Sequence, residues 1–360
     1  MRSLLQPIAD DAIARQVTPG IVVLVSKDSK TIGLEAFGMT AGLEDSGQPV
    51  QTDTIYDAAS ITKSAVTSTL LMQMVAQGAL SLDTAVAPLL PELTGAGSDA
   101  IHLRHLLGHS SGLPAHRHFF EAIWAGDLAG ASNRRDALVN MAGAESLEYA
   151  PGTKTIYSDL GYILLGRLLE RVADTPLETL FSERIAQPLA MRDSGFSSDI
   201  RNRLDRVAPS QRYPSRGLLH GEVHDDNANS AGGVCGHAGL FTTAQDLAKL
   251  AGALCSSYTT GQFIDRATLH SFWREQASPN TSWRMGWDTP SPIPGVSQSG
   301  DSWPSTGVGH LGFTGTAWWL APRENYFVII LTNRVYYSWE KEGIKRLRRT
   351  LIDAIVSELL

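Results

Sequence analysis

The hydrophobic pattern divides the chain into two short sheet-forming ends and a long helical middle. Leu4, Leu5, Ile8, Ala12 and Ile13 keep helical spacing, which predicts an amphipathic helix over residues 3–16. Gly20-Ile-Val-Val-Leu-Val-Ser26 is rich in β-branched residues and predicts a strand, as does Thr31–Gly38 after a Lys27-Asp-Ser-Lys30 turn. Near the other end, Thr316–Leu320 and Tyr326–Thr332 predict two more strands. Ile344, Leu347, Leu351, Ile355 and Leu359 then line one face of a helix from about Trp339 to Leu360. Between the ends, Ser60–Gln77 is apolar almost all round, the mark of a buried helix. Further helices are expected at 101–108, 134–142, 159–173, 176–185 and 243–255. Residues 278–306, rich in Pro, Ser and Gly, are expected as a long loop. There is no internal repeat. This order predicts an α+β protein: a sheet domain built from residues 1–57 and 285–360, closed by helices from both termini, with a mostly helical domain, 58–284, inserted between.

Composition narrows the function classes. The chain has 360 residues, 43% hydrophobic and 19% charged, ordinary for a protein with a full core. A net charge of −7 argues against a nucleic-acid or anionic-membrane footprint. The basic run Lys345-Arg346-Leu347-Arg348-Arg349 is therefore expected as the solvated outer face of the last helix. No segment is apolar enough to span a membrane. Pro7 and Asp10–Asp11 interrupt any signal-peptide core, so with Met1 as the start a cytoplasmic location is expected. Cys235 and Cys255 make no CxxC pair and are expected as unpaired thiols.

Three separated pieces carry candidate chemistry. The first is Ser60-Ile61-Thr62-Lys63. At this spacing Lys63 lies over Ser60 on one helix face, and a serine alcohol needs a neighbour to take its proton. Ser60 is expected at the helix N-terminus, where its own N–H is free to bind an oxyanion. S-x-x-K alone recurs by chance, but a lysine inside an all-apolar helix is costly without a polar role. The second piece is Tyr157-Ser158-Asp159, at the start of a helix. A phenol there can serve as a base if the Lys63 ammonium lowers its pKa; the alternative is a core tyrosine with Asp159 as N-cap. The third is His310-Leu311-Gly312-Phe313-Thr314-Gly315-Thr316. Its glycines, Gly312 among them, permit close substrate approach, and the Phe313 N–H is a candidate second oxyanion donor; the alternative is a strand corner without chemistry.

Together these pieces, in this order, resemble the serine β-lactamase and penicillin-binding-protein superfamily, with its S-x-x-K, Tyr-led triplet and K-T-G. The Tyr-led triplet is similar to the class C branch, including D-alanyl-D-alanine carboxypeptidases and β-lactamase-like esterases. Arg104–Leu113, Tyr149–Thr153 and Gly236–Ala244 resemble further family segments, so the likeness runs over roughly residues 18–335. It implies a β-lactamase/transpeptidase-like fold with an antiparallel sheet flanked by N- and C-terminal helices. It also implies Ser60 as nucleophile, Lys63 and Tyr157 as proton carriers, and an oxyanion hole from the N–H groups of Ser60 and Phe313. Asp159 stands where the family often has Asn, and is expected to hold Lys63 charged. His310 and Leu311 replace the K-T-G lysine and threonine that help hold a substrate carboxylate. Losing one charge-assisted hydrogen bond costs about 1.5–3 kcal/mol. The expected substrate is thus a small ester, amide or lactam, with weak β-lactamase activity. The alternatives are a true class C-like β-lactamase, a carboxypeptidase, or a penicillin-binding sensor that does not turn over. No cofactor or metal is expected.

Competing motifs remain. Gly108-His-Ser110-Ser-Gly112 fits a nucleophile elbow, but a helical run precedes it and Leu113-Pro114 follows. His220, His224, Asp225, Asp226 and His237 have zinc-like spacing, yet no helix holds their register, and polar loop residues are the expectation. Trp273, Trp283, Trp287, Trp303, Trp318 and Trp319 are read either as core or as an aromatic rim over the cleft.

Overall fold

A computed structural model describes residues 1–359 apart from 215, 338, 340 and 341. Five antiparallel strands form the main sheet: β1 (Gly20–Lys27), β2 (Lys30–Gly38), β3 (Val308–Leu311), β4 (Ala317–Ala321) and β5 (Tyr326–Thr332). Their order is β2-β1-β5-β4-β3, so the two chain ends meet in the centre, β1 beside β5. Successive residues of a strand point to opposite faces, and the sheet uses both. Ile21, Val23, Val25, Val328 and Ile330 pack under helices α1 (Arg2–Ala14) and α5 (Gly343–Leu359). Val22, Leu24, Ile329 and Leu331 face the helical middle of the chain. Double-sided burial explains why β1 and β5 read as continuous apolar runs.

The predicted spacing of the last helix is found: Ile344, Leu347, Leu351, Ile355 and Leu359 are all buried. Each such side chain contributes about 1.5–3 kcal/mol of transfer free energy. Its start is Gly343, later than the predicted Trp339; residues 340 and 341 lie outside the described part. Arg348 corrects the reading of this helix's basic run as wholly solvated, because it is only 4% exposed.

The elements that position the site are three. After Ser60 the chain enters a π-helical turn, Lys63–Ser68, that continues into α2 (Thr69–Ala76). Helix α3 (Asp159–Ala173) starts at Ser158, whose hydroxyl accepts from the Gly161 N–H at 3.3 Å. Ser158, not Asp159, is therefore the N-cap. Helix α4 (Ala244–Thr260) is capped by Thr243 and packs against β1, β4 and β5. Several elements escaped the sequence pattern, two of them instructive. The helix Arg266–Arg274, capped by Asp265, is short, and β3 breaks the β-branched pattern with Gly309 and His310.

Among the described residues no helix is long and apolar enough to cross a membrane. Cys235 and Cys255 are buried and unpaired.

Candidate active site

Two short strands, Tyr56–Asp57 and Phe241–Thr242, pair and hold the chain just before Ser60. Asp57 then ties the turn: its carboxylate accepts from the Ala59 and His224 N–H groups, each at 2.8 Å. Ala59 takes a left-handed φ of 49°, a cost that non-glycine residues carry only where the surroundings impose it. Burial raises the Asp57 carboxyl to about 6 against those two bonds. Ser60 follows at the mouth of a cleft of about 390 Å³ that also presents Tyr157, Trp283, His310, Phe313 and Arg334.

Lys63 is fully buried behind Ser60. Its Nζ lies 3.1 Å from Ser60 Oγ, 3.0 Å from the His237 carbonyl oxygen and 2.7 Å from Asp159 Oδ1. The Tyr157 ring sits 4.9 Å from the ammonium, and both Lys63 and Ser60 act on its phenol to favour the ionised form. The three separated sequence pieces thus converge. Burial opposes charge on Lys63, but Asp159 and Tyr157 outweigh it and hold the ammonium protonated. Asp159, partly exposed, is kept ionised by Lys63 with help from His116, whose Nδ1 is 3.2 Å from Oδ2. The expectation that Lys63 would lower Tyr157 is corrected. Burial raises the phenol, and the repulsion from Asp159 adds to it, so the lowering by Lys63 is outweighed.

The His310–Thr316 turn closes the cleft's other wall. Thr314 and Thr316 hydroxyls donate to the carbonyls of Asp57 and Ala58 at 2.8 and 3.0 Å, fastening this turn to the one that carries Ser60. His310 is buried, and burial followed by Lys63 pushes it down to about 3, so its ring is neutral. Its Nδ1 lies 2.9 Å from the Leu311 carbonyl oxygen. Gly312 donates to the Thr316 carbonyl at 2.7 Å. The N–H groups of Ser60 and Phe313 have no acceptor among the described residues.

Other candidates fall elsewhere. Ser110 is fully buried and its Oγ donates to the Ala277 carbonyl at 3.3 Å, which removes it as an elbow nucleophile. The zinc-like set scatters. His220 contacts the Leu204 and Val207 carbonyls, His224 contacts Gln211, and Asp226 contacts Arg216. Only His237 and Asp225 meet, at 2.8 Å. Of the six tryptophans, five are core residues, against the rim reading, and Trp283 alone lines the cleft. The exposed aromatics at its mouth are Phe313 and Trp339.

Sequence reasoning missed three neighbours. His109 has its ring 4.4 Å from that of Tyr157 and accepts the Ser158 N–H at Nδ1, 3.1 Å; burial, then Lys63, keeps it neutral. Its motif, Arg104–Leu113, was the available signal. His116 and Arg348 carried no motif at all.

Comparison with known proteins establishes the family. The β-lactamase family model matches residues 5–351. An N-acetylmuramyl-L-alanine amidase of Bacillus subtilis is 30% identical, over 90% of this chain and 80% of the relative. A putative D-alanyl-D-alanine carboxypeptidase of Escherichia coli is 31% identical, over 90% and 81%. Among solved structures, EstCE1, a hydrolase with promiscuous acyltransferase activity, superposes with a TM-score of 0.76 at 22% identity, covering 98% of both chains. The antiparallel sheet between terminal helices is the fold these proteins share. The chain belongs to the β-lactamase family of serine hydrolases.

Proposed function

We propose that the protein hydrolyses small acyl esters or amides through an acyl-enzyme on Ser60, with weak activity on β-lactams. The observation that carries this reading is the convergence of three groups: the Lys63 ammonium lies 3.1 Å from the Ser60 alcohol and 4.9 Å from the centre of the Tyr157 ring, and all three line or back one cleft. Ser60 Oγ attacks the substrate carbonyl carbon while its proton passes to the Tyr157 oxygen, whose phenolate form the Lys63 charge stabilises. The tetrahedral oxyanion is received by the Ser60 and Phe313 N–H groups. Its collapse breaks the bond to the leaving group, which takes the proton back from Tyr157. Water, activated by the same pair, then releases the acid.

The preference for esters follows from His310. A neutral buried imidazole stands where related enzymes use a cationic lysine for a substrate carboxylate. The relatives' names, an amidase and a putative carboxypeptidase, support an acyl-transfer reaction on an amide as the neighbouring activity.

Intact-mass detection of a covalent adduct across an ester, amide and lactam panel tests the proposal. An adduct in the native protein, absent in Ser60→Ala, is expected. A cephalosporin turnover far above that of a nitrophenyl ester refutes the ester preference. A burst without steady turnover assigns a one-time sensor instead.

A further inference from the structure

We propose that Arg348, on the C-terminal helix, positions the oxyanion donor by clamping the peptide that carries the Phe313 N–H. This deepens the reading above and rests on it. Arg348 is 4% exposed, yet none of its four hydrogen bonds goes to a carboxylate. Nη2 donates to the Gly312 and Thr316 carbonyls at 2.6 and 2.8 Å, Nε to the Gly315 carbonyl at 3.1 Å, and Nη1 to Gln298 Oε1 at 2.6 Å. A buried cation without a counter-ion among the described residues is expensive, and an apolar side chain of similar volume is the cheaper way to fill a core. Three of the four acceptors belong to the turn that lines the cleft, and their dipoles meet the positive charge.

The consequence follows from peptide geometry. Gly312 C=O and Phe313 N–H belong to one planar trans unit and point in opposite directions. Drawing the Gly312 oxygen onto the guanidinium therefore aims the Phe313 N–H away from the helix, toward the cleft. The Phe313 and Thr314 carbonyls are held back as well. Arg334 Nε takes the Phe313 carbonyl at 2.8 Å, and the Arg334 N–H and Thr332 hydroxyl take that of Thr314 at 2.9 and 3.1 Å. Every carbonyl from Gly312 to Thr316 thus has a donor. A charge-assisted bond on the Gly312 oxygen also polarises its amide and strengthens the N–H as a donor. A lysine keeps the charge but lacks the planar fork that reaches three carbonyls.

The test compares Arg348→Lys and Arg348→Met with the native enzyme. Single-turnover acylation by a nitrophenyl ester, substrate dissociation constants and boronic acid affinity are measured. Losing an oxyanion donor outright costs 10²–10³ in rate, so the Lys variant is expected to lose roughly 10-fold and the Met variant roughly 100-fold in acylation. Substrate dissociation constants are expected to stay within about twofold, and boronate affinity to fall in step with acylation. Native acylation rates in both variants, or a loss confined to substrate binding, overturn the inference. If neither variant folds, a crystal structure of the native boronate adduct decides. An adduct oxygen on the Phe313 N–H with Gly312 still held by Arg348 supports it, and a flipped Gly312 peptide overturns it. If a phosphonate fails to label Ser60 in the native enzyme, the site reading itself fails. Normal labelling with undiminished variants sinks only the role of Arg348.

Discussion

The Lys63 ammonium lies closer to the Asp159 carboxylate, 2.7 Å, than to the Ser60 hydroxyl, 3.1 Å. Asp159 raises Lys63, and it raises Tyr157 by charge repulsion. The base-competent form of this pair requires loss of a proton, so both effects delay it. Replacing Asp159 by Asn removes the anion and lets the pair ionise earlier. The ascending limb of kcat/KM against pH is expected to move to lower pH by about one unit or more. A limb that stays fixed, or moves upward, contradicts the coupling.

Tyr157→Phe removes the phenol oxygen beside Ser60 and Lys63 and leaves the ring contact with His109 at 4.4 Å in place. General acid–base groups of this kind contribute about 10²–10⁴ in rate. A loss of kcat for a nitrophenyl ester in that range is expected, with thermal stability changed by about 1 kcal/mol or less. Steady-state kinetics beside calorimetry separates this from unfolding, and turnover within tenfold of native excludes Tyr157 as the proton carrier.

Buried His237 pairs with the partly exposed Asp225, and the histidine's carbonyl also holds Lys63. Burial opposes the charge on His237, but Asp225 overrides it and lifts the imidazolium from 6.5 to about 10. The folded state therefore binds a proton that the unfolded chain releases between those values. This stabilisation is fully present below pH 6.5 and is lost as pH rises toward about 10. Asp225→Asn retains an acceptor for the Ala228 N–H, 2.8 Å away at the helix start, and removes only the charge. Melting temperatures from pH 6.5 to 10 are expected to fall less steeply in the variant. Parallel curves argue against a charged His237.

How much was legible in the sequence follows the range of the interactions. Ile344, Leu347 and Leu351 announce their helix because burial repeats with the helical period. Ser60 and Lys63 are three residues apart on one helix, and Tyr157 opens another, so local spacing and motif order reveal them. For Arg348 the same means go halfway: four residues after Ile344 and four before Ile352 it falls on the buried face, while Arg346 and Arg349 meet acidic side chains, but spacing does not tell that it reaches the Gly312 carbonyl. The sign of the Tyr157 shift also escaped, since spacing reveals the nearby ammonium and not the depth of burial that opposes it. The tryptophans misled for the opposite reason. A loop-rich sequence context suggested exposure, while Trp287 stacks on Trp318 in the core, ring centroids 5.0 Å apart.

Gly312 offers a steric test of the oxyanion turn. A Cβ at this position meets Thr316 Oγ1 at 1.9 Å and the Ala58 carbonyl oxygen at 2.5 Å. The first contact is a buried hydroxyl already donating to Ala58; the second is the backbone just ahead of Ser60. Neither gives way without separating the two turns that present the candidate oxyanion donors. Gly312→Ala is therefore expected to cost about 1–3 kcal/mol of stability from overpacking. Ester turnover is expected to fall by a larger factor than the melting temperature alone explains, because a shift of about 1 Å at a reacting centre costs on the order of 10²-fold. Adding Thr316→Ala removes the 1.9 Å contact and leaves the one to Ala58. The double variant is expected to recover stability more than turnover. Full recovery of ester turnover in it shows that the separation between the Gly312 and Ala58 backbones does not limit the chemistry.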